Sequence, residues 1–162
     1  MAANHKTSLR VLRGHDVPPD GYGRSIMLAL MRVFERWTEV SGLLVKQHGI
    51  TLPQFELLMV LNSGEGISQQ DLTGRLMLTK GNICIIAQKM EASGLIERRT
   101  DPVDQRFNRL YMTDSGRRLI ARIKPHHHDL AAQLFAHINQ ADQKLLYELL
   151  SRLDQAFDDL DG

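Results

Sequence analysis

Two helix starts and two strand-like runs follow one another within residues 68–113, and this order constrains the fold more than any other feature of the sequence. Ser68 and Thr79 each precede a stretch in which apolar residues have helical spacing. Hydroxyl side chains are favoured at such positions because they accept backbone N–H groups of the first turn. The sequence therefore predicts two short helices, over 68–77 and 79–93, separated by a tight turn.

The second of these helices has one apolar and one largely polar face. Ile83, Ile86, Ala87 and Met90 recur at i, i+3, i+4 and i+7, which predicts a buried stripe. Two short helices of this kind form a helix-turn-helix, whose second helix can lie in the major groove of DNA. The opposite face carries Gly81, Asn82, Cys84, Ile85, Gln88 and Lys89.

A strand-like pair follows, over 95–100 and 107–113, around a loop that is dense in Asp and Arg. A hairpin placed after a helix-turn-helix is the order of a winged helix, so we expect the hairpin to lie beside the second helix. Arginines on such a wing meet phosphates and a narrow minor groove. The arginines concerned are Arg98, Arg99, Arg106 and Arg109.

Charge is distributed unevenly, although the net charge of the 162-residue chain is only +1. Residues 68–124 contain eleven Lys or Arg against six Asp or Glu, a local excess of +5, whereas the segment from residue 151 onward is acidic. A basic middle region favours a polyanionic partner. Double-stranded DNA is the partner that fits both the charge and the predicted fold.

Other classes of protein find little support in the sequence. A single cysteine excludes an internal disulfide framework. Neither a signal peptide nor an apolar run of about 18 residues is recognisable. We therefore expect a reduced, cytoplasmic protein without a membrane partner. No Gly-rich phosphate loop, His-Glu-x-x-His helix or nucleophile elbow occurs. We therefore expect neither catalytic residues nor a cofactor.

Long amphipathic segments flank the predicted winged helix. Residues 24–47 have apolar residues at alternating spacings of four and three, and the C-terminal segment repeats this spacing. A second helix starts at the predicted capping box Thr51-Leu-Pro-Gln54. Each stripe could pack within its own subunit, but stripes at both ends favour a homodimer. The predicted interface residues are Ile26, Leu30, Val33, Leu146, Leu150, Leu153 and Phe157.

Four stretches resemble the signature of the MarR family of transcriptional regulators: "LTKGN" at 78–82, "MEASGLIERR" at 90–99, "DPVDQR" at 101–106 and "LYMTDSG" at 110–116. The resemblance spans about residues 24 to 160. It implies homodimers that bind palindromic operators, usually as repressors that a small ligand releases. Here the ligand is expected to be aromatic or phenolic. At Cys84 and Ile85 the chain differs from the many members that have a hydroxyl residue followed by Gly or Arg.

These observations predict a mainly α protein with a small β-hairpin wing, divided into a polar arm (1–23), a DNA-binding lobe (51–113) and dimerisation helices (24–50 and 114–162). A ligand pocket is expected where the long helix meets the second one. The pocket residues are Trp37, His48, Phe55 and Met59. The predicted DNA contacts are Ser68, Gln69, Gln70, Thr79, Lys80, Gly81, Asn82, Cys84, Ile85, Gln88, Lys89, Arg98, Arg99, Asp104, Arg106 and Arg109.

Two alternatives from other classes stay open at this stage. A regulator with the same fold could sense a metal or thiol oxidation, through His126, His127 and His128 or through Cys84. Adjacent helical residues point about 100° apart, so the histidine run does not form one compact metal shell, and no metal site is expected. A winged-helix module that binds another protein instead of DNA is the second alternative.

Overall fold

The computed structural model describes residues 21–76, 80–102, 104–105 and 107–160. Residues 1–20 of the predicted polar arm lie outside this description. The fold is mainly helical with one small antiparallel sheet, which confirms the predicted fold class. The elements are α1 (Gly23–Lys46), α2 (Leu52–Ser63), β1 (Ile67–Ser68), α3 (Gln69–Arg75), α4 (Lys80–Ala92), β2 (Ile96–Thr100), β3 (Asn108–Met112), α5 (Asp114–Phe135) and α6 (Gln140–Leu160).

The chain divides into two compact units, with the boundary between Val40 and Ser41 inside α1. In the first unit, the described part of α1 carries a wide apolar surface that is exposed in a single chain. The buried residues of α1, Ser41 and Val45, both follow the boundary. The exposed apolar residues of this part are Ile26, Met27, Leu28, Met31, Val33, Phe34 and Val40.

Helix starts in the second unit follow the capping pattern of the sequence. At α2 the backbone N–H of Thr51 donates to Oε1 of Gln54 over 2.9 Å. At α3 the Oγ of Ser68 accepts the backbone N–H of Asp71 over 3.1 Å and donates to its Oδ2 over 2.8 Å. Both predicted capping interactions are therefore confirmed, whereas Thr79 lies outside the described residues.

The sheet has the order β1-β3-β2, and both pairings are antiparallel. Strand β2 pairs with β3 from Ile96 opposite Met112 to Thr100 opposite Asn108, which is the predicted hairpin. Strand β1 adds to the other edge of β3, with Ile67 opposite Leu110. This third strand was not predicted, because two residues are too few to show an alternating pattern.

One apolar core joins α2, α3, α4, α5 and the sheet. The predicted stripe of α4 faces it, since Ile83, Ala87 and Met90 are buried and Ile86 is partly buried against it. Burial of this stripe leaves the opposite face of α4 exposed. The core residues are Val45, Ile50, Phe55, Leu57, Leu58, Leu61, Ile67, Leu72, Leu76, Ile83, Ala87, Met90, Ile96, Leu110, Met112, Leu119, Ile120 and Ile123.

The start of α5 is held tightly against the end of α4. The Oγ1 of Thr113 donates to the carbonyl of Gly94 over 2.6 Å and accepts the backbone N–H of Gly116 over 3.1 Å. A Cβ on Gly116 would come within 2.2 Å of the carbonyl oxygen of Leu95. Glycine is required there because backbone cannot give way as a flexible side chain can.

The segment after the wing forms two helices, α5 and α6, separated at residues 136–139. Pro125 lies within α5. Among the described residues, no helix is both long and apolar enough to cross a membrane.

Candidate nucleic-acid interface

The outward face of α4 is formed by Gly81, Asn82, Ile85, Gln88 and Lys89, all of which are exposed. A Cβ on Gly81 would meet nothing within 4 Å, so the first turn of the helix is open to a partner. This face has the composition of a recognition helix: small at its start, amide-bearing and basic further along.

Cys84 lies at the edge of this face and is half-buried. Its Sγ donates to Oε1 of Gln69 over 3.6 Å. The contact joins the two helices of the helix-turn-helix, because Gln69 begins α3 and Cys84 lies in the second turn of α4. Both residues were predicted as DNA contacts, and their mutual contact was not predicted.

An ion pair between Glu91 and Arg98 connects α4 to the wing. The backbone N–H of Arg98 donates to Oε1 of Glu91 over 3.2 Å, and its Nε donates to Oε2 over 2.7 Å. The side-chain hydrogen bond from Arg98 is the main reason that the pKa of Glu91 lies below its usual range. Glu91 was missed by the sequence analysis, although an acid and a base flanking a glycine turn were visible in "EASGLIERR".

Arg99 lies on the exposed edge strand of the wing. It forms an ion pair with Glu97, and its guanidinium carbon lies 4.3 Å from the ring centroid of Tyr111 on β3. A planar guanidinium on an aromatic ring keeps its edge available for hydrogen bonds to an anion. The stacking on Tyr111 therefore orients the Arg99 side chain.

The base of the wing is held by Asp101 and Arg109. Nε of Arg109 donates to Oδ2 of Asp101 over 2.6 Å, and its Nη1 donates to the carbonyl of Gly66 over 2.8 Å. Oδ1 of Asp101 accepts the backbone N–H of Asp104 over 3.2 Å. Asp101 was not among the predicted site residues, although Asp followed by Pro is a turn-initiating signal.

The wing tip is described only in part. Arg106 lies outside the described residues. The backbone N–H of Phe107 donates to the carbonyl of Asp104 over 3.0 Å, which closes the loop, and the Phe107 side chain is exposed. All of the predicted contacts with DNA stay predictions. Thr79 and Arg106, and the side chains of Gln70 and Lys80, also lie outside the described residues.

Three of the four predicted pocket residues lie in the second unit, and Trp37 lies in the first. Phe55 is buried in the core and Met59 is partly buried against it. The ring of His48 stacks on that of His126, with centroids 6.4 Å apart, and His127 lies 4.8 Å from the ring of Phe55. Burial lowers the pKa of His127.

The histidine run does not converge on one point. His126 and His127 contact different rings, and His128 is exposed beside Asp129. Across the described ranges, no group of three or more His, Cys, Asp or Glu residues is arranged to hold a metal ion.

The predicted interface residues at the two ends of the chain differ little in exposure. Ile26 and Val33 on α1 are exposed, and Leu30 is half-buried. On α6, Leu146, Leu150, Leu153 and Phe157 are all exposed in a single chain and recur at helical spacing. Both helices therefore present apolar stripes to the outside.

A helix-turn-helix followed by a basic β2–β3 hairpin, with β1 as the third strand of the sheet, defines a winged-helix DNA-binding protein. A family model described as "MarR family" matches residues 48–106. The chain is 30% identical over 121 residues to the HTH-type transcriptional regulator YkoM of Bacillus subtilis, covering 75% of this chain and 79% of that protein.

Solved structures with a similar fold include two complexes. The structure of S. aureus MepR with DNA superposes with a TM-score of 0.75 at 18% identity, covering 80% of this chain and 96% of that one. The PcaV transcriptional regulator from Streptomyces coelicolor, in complex with its natural ligand, has a TM-score of 0.66 at 21% identity, covering 88% and 98%. The chain belongs to the MarR family, and it is a DNA-binding transcriptional regulator.

Proposed function

We propose that the protein is a homodimeric repressor that binds a palindromic operator through α4 and the wing of each subunit. The observation that carries this proposal is that the polar outward face of α4 is tied by the Glu91–Arg98 ion pair to an arginine-bearing wing. This contact holds the wing beside α4, so that the helix can occupy a major groove while the wing meets the adjacent backbone or minor groove.

Residue roles follow from the chemistry of the side chains. Lys89 and Arg99 neutralise phosphates, and Gln88 reads a base edge, with adenine as the preferred base. Arg106 enters or follows the minor groove at the wing tip, oriented by Asp104. Residues 51–113 form the DNA-binding lobe in this proposal.

Dimerisation is proposed through residues 24–50 and 114–162. The support is the exposed apolar stripes on α1 and α6, because contiguous apolar surface of this kind is characteristic of protein interfaces. A two-fold dimer presents its recognition helices about 34 Å apart, which is one turn of DNA. The operator is then an inverted repeat.

Release by a small aromatic or phenolic ligand completes the proposal. Its support is the two ring pairs His48–His126 and Phe55–His127, together with the ligand-bound state of PcaV. Thermal shift against a panel of phenolic acids tests it: a hit must both raise the unfolding temperature and release the operator. The metal- or thiol-sensing alternative finds no comparable support in the described residues.

Selection of bound duplexes from a random DNA pool tests the central proposal. We expect an enriched inverted repeat with half-sites one helical turn apart. Lys89→Ala should weaken binding to all duplexes. It should also lower the slope of log affinity against log salt concentration by about one unit, the contribution of one phosphate contact. Lys144→Ala removes the same charge from α6, and it should leave both unchanged.

Enrichment of no duplex would overturn the proposal, and an isolated half-site would overturn its dimeric form. A reporter gene placed behind the selected operator then distinguishes repression from activation, since a repressor must lower its expression.

A further inference from the structure

Ile85 is an aliphatic side chain in the middle of the outward face of α4. Its exposed fraction is 53%, whereas the core-facing residues Ile83 and Ala87 on either side are fully buried. Gly81 lies one turn before Ile85 and Gln88 lies nearly one turn after it, so the three share one face of the helix. Ile85 is therefore not part of the core of this chain.

The surroundings of Ile85 leave it open to a partner that approaches α4. Gly81 has no side chain and open space beyond its Cα, and Gln88 is exposed with an amide that can bond a base. The isoleucine thus projects from a face whose other members are small or polar. Its branched Cβ restricts χ1 in a helix to one strongly preferred rotamer, so little side-chain entropy is lost when it is covered.

The base edges in the major groove offer one apolar group, the C5-methyl of thymine, and otherwise hydrogen-bond donors and acceptors. An aliphatic side chain pressed against a donor or acceptor leaves that group without a partner, which is unfavourable. Contact with a thymine methyl has no such cost and removes apolar surface of both groups from water. The chemistry of Ile85 therefore discriminates among bases without any hydrogen bond.

We propose that Ile85 selects thymine at one position of each half-site, by contact with its C5-methyl group in the major groove. This inference rests on the proposed function, in which α4 occupies that groove. Part of the preference for a DNA sequence then comes from an aliphatic residue, beside the part that the polar residues of the same face provide.

Deoxyuridine substitution tests the contact directly, because it removes the C5-methyl of thymine and keeps the base pair. Each thymine of the selected operator is replaced in turn, and affinity is measured with the full-length protein. We expect one thymine per half-site at which the loss of the methyl weakens binding about fourfold, and about fifteenfold when both half-sites are changed. Deoxyuridine outside the half-sites should have no effect.

Two variants assign the effect to Ile85. Ile85→Ala should bind the thymine and deoxyuridine operators equally, while Ile85→Val, which keeps the branched Cβ, should retain the discrimination. Since Ile85 is exposed, neither variant leaves a cavity, and circular dichroism checks that the fold is kept.

The outcomes separate the two proposals. If the protein binds its operator specifically but no thymine methyl affects the affinity, the role of Ile85 is overturned. The same holds if removal of the methyl weakens Ile85→Ala as much as the unmodified protein. In both cases the repressor proposal remains. Failure of the unmodified protein to select any duplex overturns both.

Discussion

Arg109 and Asp101 close the base of the wing: Nε of the arginine donates to Oδ2 of the aspartate over 2.6 Å. Asp101 is only 6% exposed, and its other carboxylate oxygen accepts the backbone N–H of Asp104. Arg109 also reaches the carbonyl of Gly66, which precedes β1. One ion pair therefore joins the wing loop, β3 and the turn before β1.

Removal of the Asp101 carboxylate is expected to destabilise the wing. Asp101→Ala leaves the Arg109 Nε and the Asp104 N–H without their acceptor, so the free energy of unfolding should fall by about 1–3 kcal/mol. Urea unfolding measures this change, and hydrogen exchange should show faster exchange at Asp104.

Glu97→Ala is the matched control for this prediction, because it removes an exposed carboxylate that pairs with Arg99. Exposed ion pairs contribute about 1 kcal/mol or less. Equal destabilisation by the two variants would contradict the role of Asp101 as the wing clamp.

Gly116→Ala should disturb the packing of α5 on the turn after α4. The added Cβ would lie 2.2 Å from the carbonyl oxygen of Leu95, so the backbone must shift. Overpacking of this kind costs about 1–3 kcal/mol, which chemical denaturation can measure. Gly81→Ala adds the same methyl to α4 in open space, and it should leave stability unchanged or raise it by up to about 1 kcal/mol. A neutral Gly116→Ala would show that the close approach is not required.

Stability should decline in mild acid because of His127. Burial lowers its pKa from the ordinary 6.5, so below pH 6.5 the unfolded chain binds more protons than the folded one. The free energy of unfolding therefore decreases as the pH falls from 6.5 through the lower pKa of the folded state. His127→Gln should flatten this dependence in a series of urea titrations. His128→Gln changes an exposed histidine and should leave the pH dependence of stability as it is. An identical effect of both variants would exclude burial as the cause.

The proposed dimer interface includes the apolar stripe of α6, so charges introduced into this stripe should abolish dimerisation. Leu150 and Leu153 are 38% and 47% exposed in a single chain, so Leu150→Asp combined with Leu153→Asp should leave a folded monomer. Operator affinity should fall with it, because one lobe covers only a half-site. Sedimentation velocity measures the association state.

Gln155→Asp is the control, because it adds a charge to another face of α6 and should stay dimeric. A dimeric double variant would remove this stripe from the interface.

The sequence by itself determined the helices up to α4 and the hairpin. Caps such as Ser68 with Asp71 involve groups a few residues apart, and the stripe of Ile83, Ala87 and Met90 follows from the period of one helix. Such features depend on local geometry, which the order of residue types specifies. The family signature, including Gly116, could be recognised for the same reason: its spacing lies within one continuous stretch.

Only the tertiary structure decided the partners of the wing arginines. Charge composition placed Arg98, Arg99 and Arg109 in one basic region, but ion pairing depends on distances of a few ångströms between side chains. The fold brings Glu91 to Arg98, and Asp101 and the Gly66 carbonyl to Arg109. Strand β1 also depends on the tertiary structure. Its two residues show no pattern of their own, and they form a strand because they pair with the edge of β3 that β2 does not occupy.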